Sequence, residues 1–197
     1  GGIPQYYIPG NHDLDFDAGS DQHSFDTFRR EWGPEYYAFD IGNVHFVVLD
    51  DVRYPCNGVD PHPFCAAEAD PTYNGVITDR QLTWLENLLS QTPEDRLVVL
   101  AHHIPFVSFV DAGSDKHQTD NLDRIHALVA GRPALSLSGH THTMENHAPG
   151  QIFEGWAENT GPGPLPFRHI IAGAASGAWY QGDFNVDGNP MALQRMG

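Results

Sequence analysis

The sequence predicts an α/β domain in which helices cover sheet. Short apolar, β-branched runs recur along the chain, bounded by glycine, proline and asparagine. Two stretches carry apolar residues at helical spacing beside recognisable start or stop signals. These strands and helices mix without a domain boundary or internal repeat over 197 residues, roughly the length of one domain. A hydrophobic fraction of 40% supplies the core and separates the chain from charge-rich disordered segments.

In chain order, Gln5-Tyr6-Tyr7-Ile8 reads as a short strand stopped by Pro9-Gly10. Residues 11–26 form an aspartate-rich loop, overlapped by a short helix over 24–31 with Phe25 and Phe28 on one face. Residues 36–41 and 44–49 are apolar and joined by Gly42-Asn43, a hairpin signal. Residues 51–76 are a long loop insertion. Thr78-x-x-Gln81 is a capping box, followed by Leu82, Leu85, Leu88 and Leu89 at helical spacing. Residues 96–101 are a buried strand. Residues 121–130 are a helix with Leu122, Ile125, Leu128 and Val129 inward, closed by Gly131. Residues 134–138 and 169–172 are further strands, and residues 174–197 are glycine-rich loops leading towards a further domain.

Charge narrows the partners. Ten basic residues against 26 acidic ones give a net charge of −16. No basic stripe exists to hold a nucleic acid polymer or an anionic membrane. A small anionic substrate stays admissible, because distant surface charge is screened within about 8–10 Å and a bound divalent cation dominates its own surroundings. The longest apolar stretch, residues 97–101, is far short of the roughly 20 residues of a membrane span. Cys56 and Cys65 sit in a Pro/Gly/Asp-rich stretch. Their spacing suits a short disulfide pinning a surface loop better than a zinc pair, with two free thiols as the remaining alternative. A disulfide favours an extracytoplasmic location, periplasmic or secreted.

The chemistry lies where predicted strands end. Gly10-Asn11-His12-Asp13 follows the first strand, His102-His103 follows residues 97–101, and Gly139-His140-Thr141-His142 follows residues 134–138. In open α/β sheets such ends converge on one crevice. Neutral imidazoles with amide and carboxylate oxygens suit Zn, Mn or Fe. In an extended segment His140 and His142 point the same way and hold one metal or two adjacent ones. Each cluster alone also reads as an ordinary turn or a buried histidine, and it is the coincidence of three that points to a metal site. His45, inside a predicted strand, reads as a core residue. Asp183-x-Asn185-x-Asp187-Gly188 starts like a calcium loop, but Gln194 stands where a bidentate Glu is needed, so a glycine-rich turn is the better reading.

These motifs, in this order, resemble the calcineurin-like metallophosphoesterase superfamily. "FRREWGPEYY" over 28–37, "GNVHFVVLD" over 42–50 and "DRQLTWL" over 79–85 are similar to its bacterial branch. "HIIAGAASGAW" over 169–179 is similar to members with an additional C-terminal domain. The resemblance implies a two-sheet β-sandwich flanked by helices. It also implies a dinuclear centre of two divalent metal ions (Mn, Fe or Zn), whose bridging hydroxide hydrolyses phosphate mono- or diesters. By position it assigns Asn11, His102, His140 and His142 as metal ligands, His12 as the acid that protonates the leaving oxygen, and Asp13 as its orienting carboxylate. His103, His147, Trp179 and Tyr180 are the weaker candidates for substrate contact. The expected partner is a small phosphorylated substrate; oligomeric state is not legible.

The superfamily's two earlier motifs, Asp-x-His and Gly-Asp, do not occur before Gly10. The expectation is therefore the C-terminal portion of a phosphoesterase domain, without its N-terminal strands and with four ligand positions and no bridging carboxylate. By itself such a chain is expected to hold one metal weakly or none. A non-catalytic metal-binding or interaction domain derived from a phosphoesterase is the alternative, and hydrolysis of another ester by the same chemistry is a third.

Overall fold

The computed structural model describes residues 2–54, 73–108, 116–152, 164–173, 186 and 195–196. After an extended arm and a 3-10 turn at Asn11–Asp13, the first regular helix is α1 (Asp26–Trp32), which buries Phe28 against Phe25. Gly42, at φ 58°, takes the left-handed conformation and folds β1 (Tyr37–Ile41) back antiparallel onto β2 (Val44–Val48), as the hairpin signal predicts. β3 (Val52–Arg53) pairs antiparallel with β4 (Asn74–Gly75) and closes the base of the expected insertion. Cys56 and Cys65 lie outside the described residues, as do Trp179, Tyr180 and all of the calcium-like loop except Val186.

α2 (Asp79–Ser90) starts at Thr78, whose hydroxyl accepts the Gln81 N–H. The return half of the capping box is not made. Instead the Gln81 amide clamps Asp50, accepting its N–H at 2.9 Å and donating to its carbonyl at 2.7 Å. β5 (Leu97–Ala101), α3 (Leu122–Leu128), β6 (Ala134–Ser138), β7 (Thr143–His147), β8 (Arg168–Ile171) and β9 (Arg195–Met196) complete the chain. Among the described residues seven strands form one sheet in the order β1-β2-β5-β6-β8-β7-β9, and β3-β4 is a separate pair. β2, β5, β6 and β8 run parallel. α2 and α3 lie in the crossovers that such pairings require.

The core sits between the sheet and these helices. Val47, Val98 and Leu100 from the sheet meet Leu82, Leu85, Leu122 and Ile125 from α2 and α3. Each such side chain contributes roughly 1.5–3 kcal/mol on burial. On the opposite face Phe39 stacks on Phe46, with ring centroids 5.1 Å apart. The N-terminal arm lays Tyr6 on Phe39 at 3.7 Å. The strand expected at residues 5–8 is thus an arm that joins no strand among the described residues, held by the Tyr6 ring on Phe39 and by the Tyr7 carbonyl, which accepts the Tyr37 hydroxyl at 2.9 Å. β7 is a strand that the sequence does not announce, because its inward residues Thr143, Glu145 and His147 are polar. Among the described residues no helix is long and apolar enough to cross a membrane.

Candidate functional site

The parallel strands β5 and β6 end side by side, and the chain leaving each carries its polar cluster to one cleft of about 260 Å³. Asn11, His12, Tyr73, His103, His117, His140, Thr141 and His142 line it. At its centre three side chains converge. Asn11 Oδ1 is 2.8 Å from His103 Nε2 and 3.1 Å from His140 Nδ1, and the two ring nitrogens are 3.1 Å apart.

His140 Nε2 lies 2.7 Å from the Lys116 carbonyl oxygen, which only accepts, so Nε2 carries the proton and Nδ1 presents a lone pair. Asn11 Oδ1 presents another. At most one proton, on His103 Nε2, stands among three acceptor atoms. Surplus lone pairs at this spacing form a donor set that accepts a cation. Ligands 2.0–2.2 Å from one ion are themselves about 3.0–3.5 Å apart, so the separations fit one face of a metal site. Among the described residues no three His, Cys, Asp or Glu side chains gather as a cage, and the third donor here is an amide. Burial, reinforced by His103, pushes His140 down to about 3, and burial also lowers His103. Both imidazoles are therefore neutral at pH 7, the state in which imidazole ligates metal.

The structure separates the two adjacent histidines after β5: His102, expected as a ligand, lies outside the cleft lining, and His103, expected as a weaker candidate for substrate contact, is part of it. His102 does not reach the cleft. It is fully buried, Nδ1 against Ile104 O at 2.7 Å and Asp51 Oδ2 at 3.0 Å, Nε2 against Ser136 Oγ at 2.7 Å, with its ring stacked on Phe106. The cause is strand parity. Val98 and Leu100 face the helices, and His102 continues that side. His103 takes the other side, closes on Asn11 and His140, and packs so near Gly10 that a Cβ there would stand 2.9 Å from its ring. The weaker candidate thus occupies the place expected for His102.

His140 and His142 are not extended either. Their φ values are 68° and 56°, both left-handed, a conformation costing roughly 1–2 kcal/mol in a residue with a Cβ. Both still line the cleft. His12 lines it too, exposed, while Asp13 spends an oxygen on the Gly10 N–H at 2.8 Å and closes the turn that presents Asn11. His147 does not roof the site. It ends β7, buried, 2.7 Å from Glu145 Oε2.

Tyr73 and His117 reach the cleft although no motif announces them. Asp120 N donates to Gly75 O at 2.7 Å, and Asn74 Nδ2 donates to Asp120 Oδ2 at 2.9 Å, stitching β4 to the turn after Lys116. A side chain at Gly75 would overlap the Gln118 carbonyl, so glycine alone permits this approach.

The sequence model of the calcineurin-like phosphoesterases matches residues 2–144. The chain belongs to that family. It is 28% identical over 148 residues to a probable glycerophosphodiester phosphodiesterase, GpdQ, of Arcobacter nitrofigilis, covering 72% of this chain and 46% of that protein. It is 29% identical over 147 residues to the serine/threonine-protein phosphatase CPPED1 of Danio rerio, covering 71% and 42%. The chain spans less than half the length of these relatives. Among solved structures, that of PhoD matches with 16% identity and a TM-score of 0.42 over 72% of this chain and 29% of that one. The family uses divalent metals.

Proposed function

We propose that the cleft is the working end of a metal-dependent hydrolase of phosphate mono- or diesters. The convergence of Asn11 Oδ1, His103 Nε2 and His140 Nδ1 within 3.1 Å carries the reading. Asn11, His103 and His140 would hold one divalent ion, and His142 would contribute to a second. Bound divalent ions supply Lewis-acid activation of water and of the phosphoryl oxygens. The Lys116 carbonyl keeps the His140 proton on Nε2 and so keeps Nδ1 turned to the cleft. His12, exposed at the rim, is the proton donor to the leaving oxygen, a task an imidazole at hydrogen-bond reach of the substrate can perform. The named activities of the relatives, a phosphodiesterase and a phosphatase, support a phosphoester as substrate. One observation favours a non-catalytic metal-binding domain instead: among the described residues no carboxylate lines the cleft to bridge two cations.

The test is hydrolysis by the full-length protein, with and without a chelator. Activity should vanish on metal removal and return on adding Mn(II) or Zn(II). His12→Ala should lower kcat by about 10²–10⁴-fold for alkyl leaving groups and by less for nitrophenolate, with metal content intact. Equal losses across leaving groups, or activity indifferent to chelation, would contradict the reading.

A further inference from the structure

We infer that Glu145 is a positioning residue of the cleft: acting through Thr143 and Thr141, it holds the His140-Thr141-His142 turn in the shape that gives both histidines to the cleft. The inference rests on the reading of the cleft as a metal site and adds what keeps its ligands in place.

The turn needs a hold. His140 and His142 take φ values of 68° and 56°, and each carries a Cβ that disfavours that conformation. Such strain persists only where surrounding contacts over-determine it. The Lys116 carbonyl holds the His140 ring, and the Thr141 N–H donates to the Gly139 carbonyl at 2.8 Å. The residue between the two histidines is tied further inward by its hydroxyl. Thr141 Oγ1 lies 2.8 Å from Thr143 Oγ1, and Thr143 donates in turn to Glu145 Oε1. Ser108 Oγ donates to the same oxygen at 2.9 Å, and His147 Nε2 faces the other at 2.7 Å.

Proton counting gives this chain one direction. A hydroxyl has a single proton, and that of Thr143 is spent on Glu145. At the Thr141–Thr143 contact Thr143 therefore accepts and Thr141 donates. Each hydroxyl on the path has one orientation, and a buried chain of this kind rigidifies what it joins. Strand parity builds it: Thr143, Glu145 and His147 occupy alternate positions of β7 and are all buried on its inward side. Polar groups on a buried strand face are costly unless they satisfy one another. Valine would fill the place of Thr143 as well; what the hydroxyl adds is the link between Glu145 and the cleft-lining Thr141. His147 stands at the far end of that link.

The experiment is cobalt(II) titration of the full-length protein, read by visible absorption, with urea unfolding alongside. Thr143→Val keeps the side-chain shape and breaks both bonds. It should weaken cobalt binding about tenfold and change the spectrum, and Thr143→Ser should restore both. Glu145→Met should match Thr143→Val; if it does not fold, Thr143→Val decides. Ser108→Ala removes a donor to the same Glu145 oxygen without touching the turn. It should lower the unfolding midpoint and leave cobalt affinity and spectrum in place. Wild-type affinity and spectrum in Thr143→Val or in folded Glu145→Met, or an equal loss of cobalt in Ser108→Ala, would overturn the inference. If the unmutated protein binds no cobalt, the metal reading fails, and the imidazole nitrogen-15 shifts of His140 and His142 in metal-free protein still decide. They should move in Thr143→Val and stay in Ser108→Ala; unmoved shifts in Thr143→Val would overturn the positioning role.

Discussion

Asp51 accepts the backbone N–H groups of His103 and Ile104, both at 3.1 Å, on one oxygen. Its other oxygen faces the His102 ring at 3.0 Å and the Thr119 hydroxyl at 3.3 Å. This buried carboxylate shapes the bend after β5 that sends His102 inward and His103 to the cleft. Asp51→Ala strands those donors and should cost about 2–4 kcal/mol in urea unfolding, with Asp51→Asn milder. Wild-type stability in Asp51→Ala would show that the bend forms without it. At this scale the sequence is legible where a residue type and its neighbours carry the signal. Asn11, His140 and His142 belong to compact motifs and reach the cleft as expected. The choice between His102 and His103 is not legible, because residues 97–101 are apolar on both faces and hide their parity. Tyr73 is equally hidden, since hydrogen bonds to residues far along the chain bring it in.

The helix expected over 121–130 with Gly131 as its stop ends at Leu128, with Val129 as its C-cap. The hairpin of β1 and β2, the Thr78 start of α2 and the strands β5, β6 and β8 follow from local pattern and turn chemistry. β7 does not, because its buried side is polar and satisfied through Glu145, which accepts from Ser108 at 2.9 Å and faces His147. A related polar pair joins two elements near the core: half-buried His126 of α3 and buried His169 of β8, ring centroids 5.5 Å apart, packed against Phe167 and Phe106. Burial pushes His126 down to about 4 and, with His126 beside it, His169 well below its usual range. Both are neutral in the fold. Unfolded histidine titrates near 6.5, so the unfolded chain binds more protons as pH falls below that value, and the fold loses stability towards pH 4. His126 alone should cost about 2 kcal/mol between pH 7.5 and pH 5. Urea midpoints at the two pH values should fall less steeply for His126→Leu than for wild type. An unchanged slope would mean that the pair titrates without strain.

Across the whole molecule, one parallel arrangement accounts for the site. β5 and β6 deliver two clusters to the same edge, and the N-terminal arm, pinned by aromatic stacking, delivers the third. The α/β class and the convergence of clusters are legible because they depend on element order. The partition of neighbouring side chains between core and cleft is not, because it depends on packing against α2 and α3. The central claim is that Asn11, His103 and His140 form the ion-binding face. Cobalt(II) titration to saturation, read by its visible absorption, tests it most directly. His103→Ala and His140→Ala should weaken binding by more than about tenfold and change the spectrum, whereas His102→Gln should lower the unfolding midpoint and leave the spectrum in place. Loss of the cobalt spectrum in His102→Gln with its retention in His103→Ala would contradict the account.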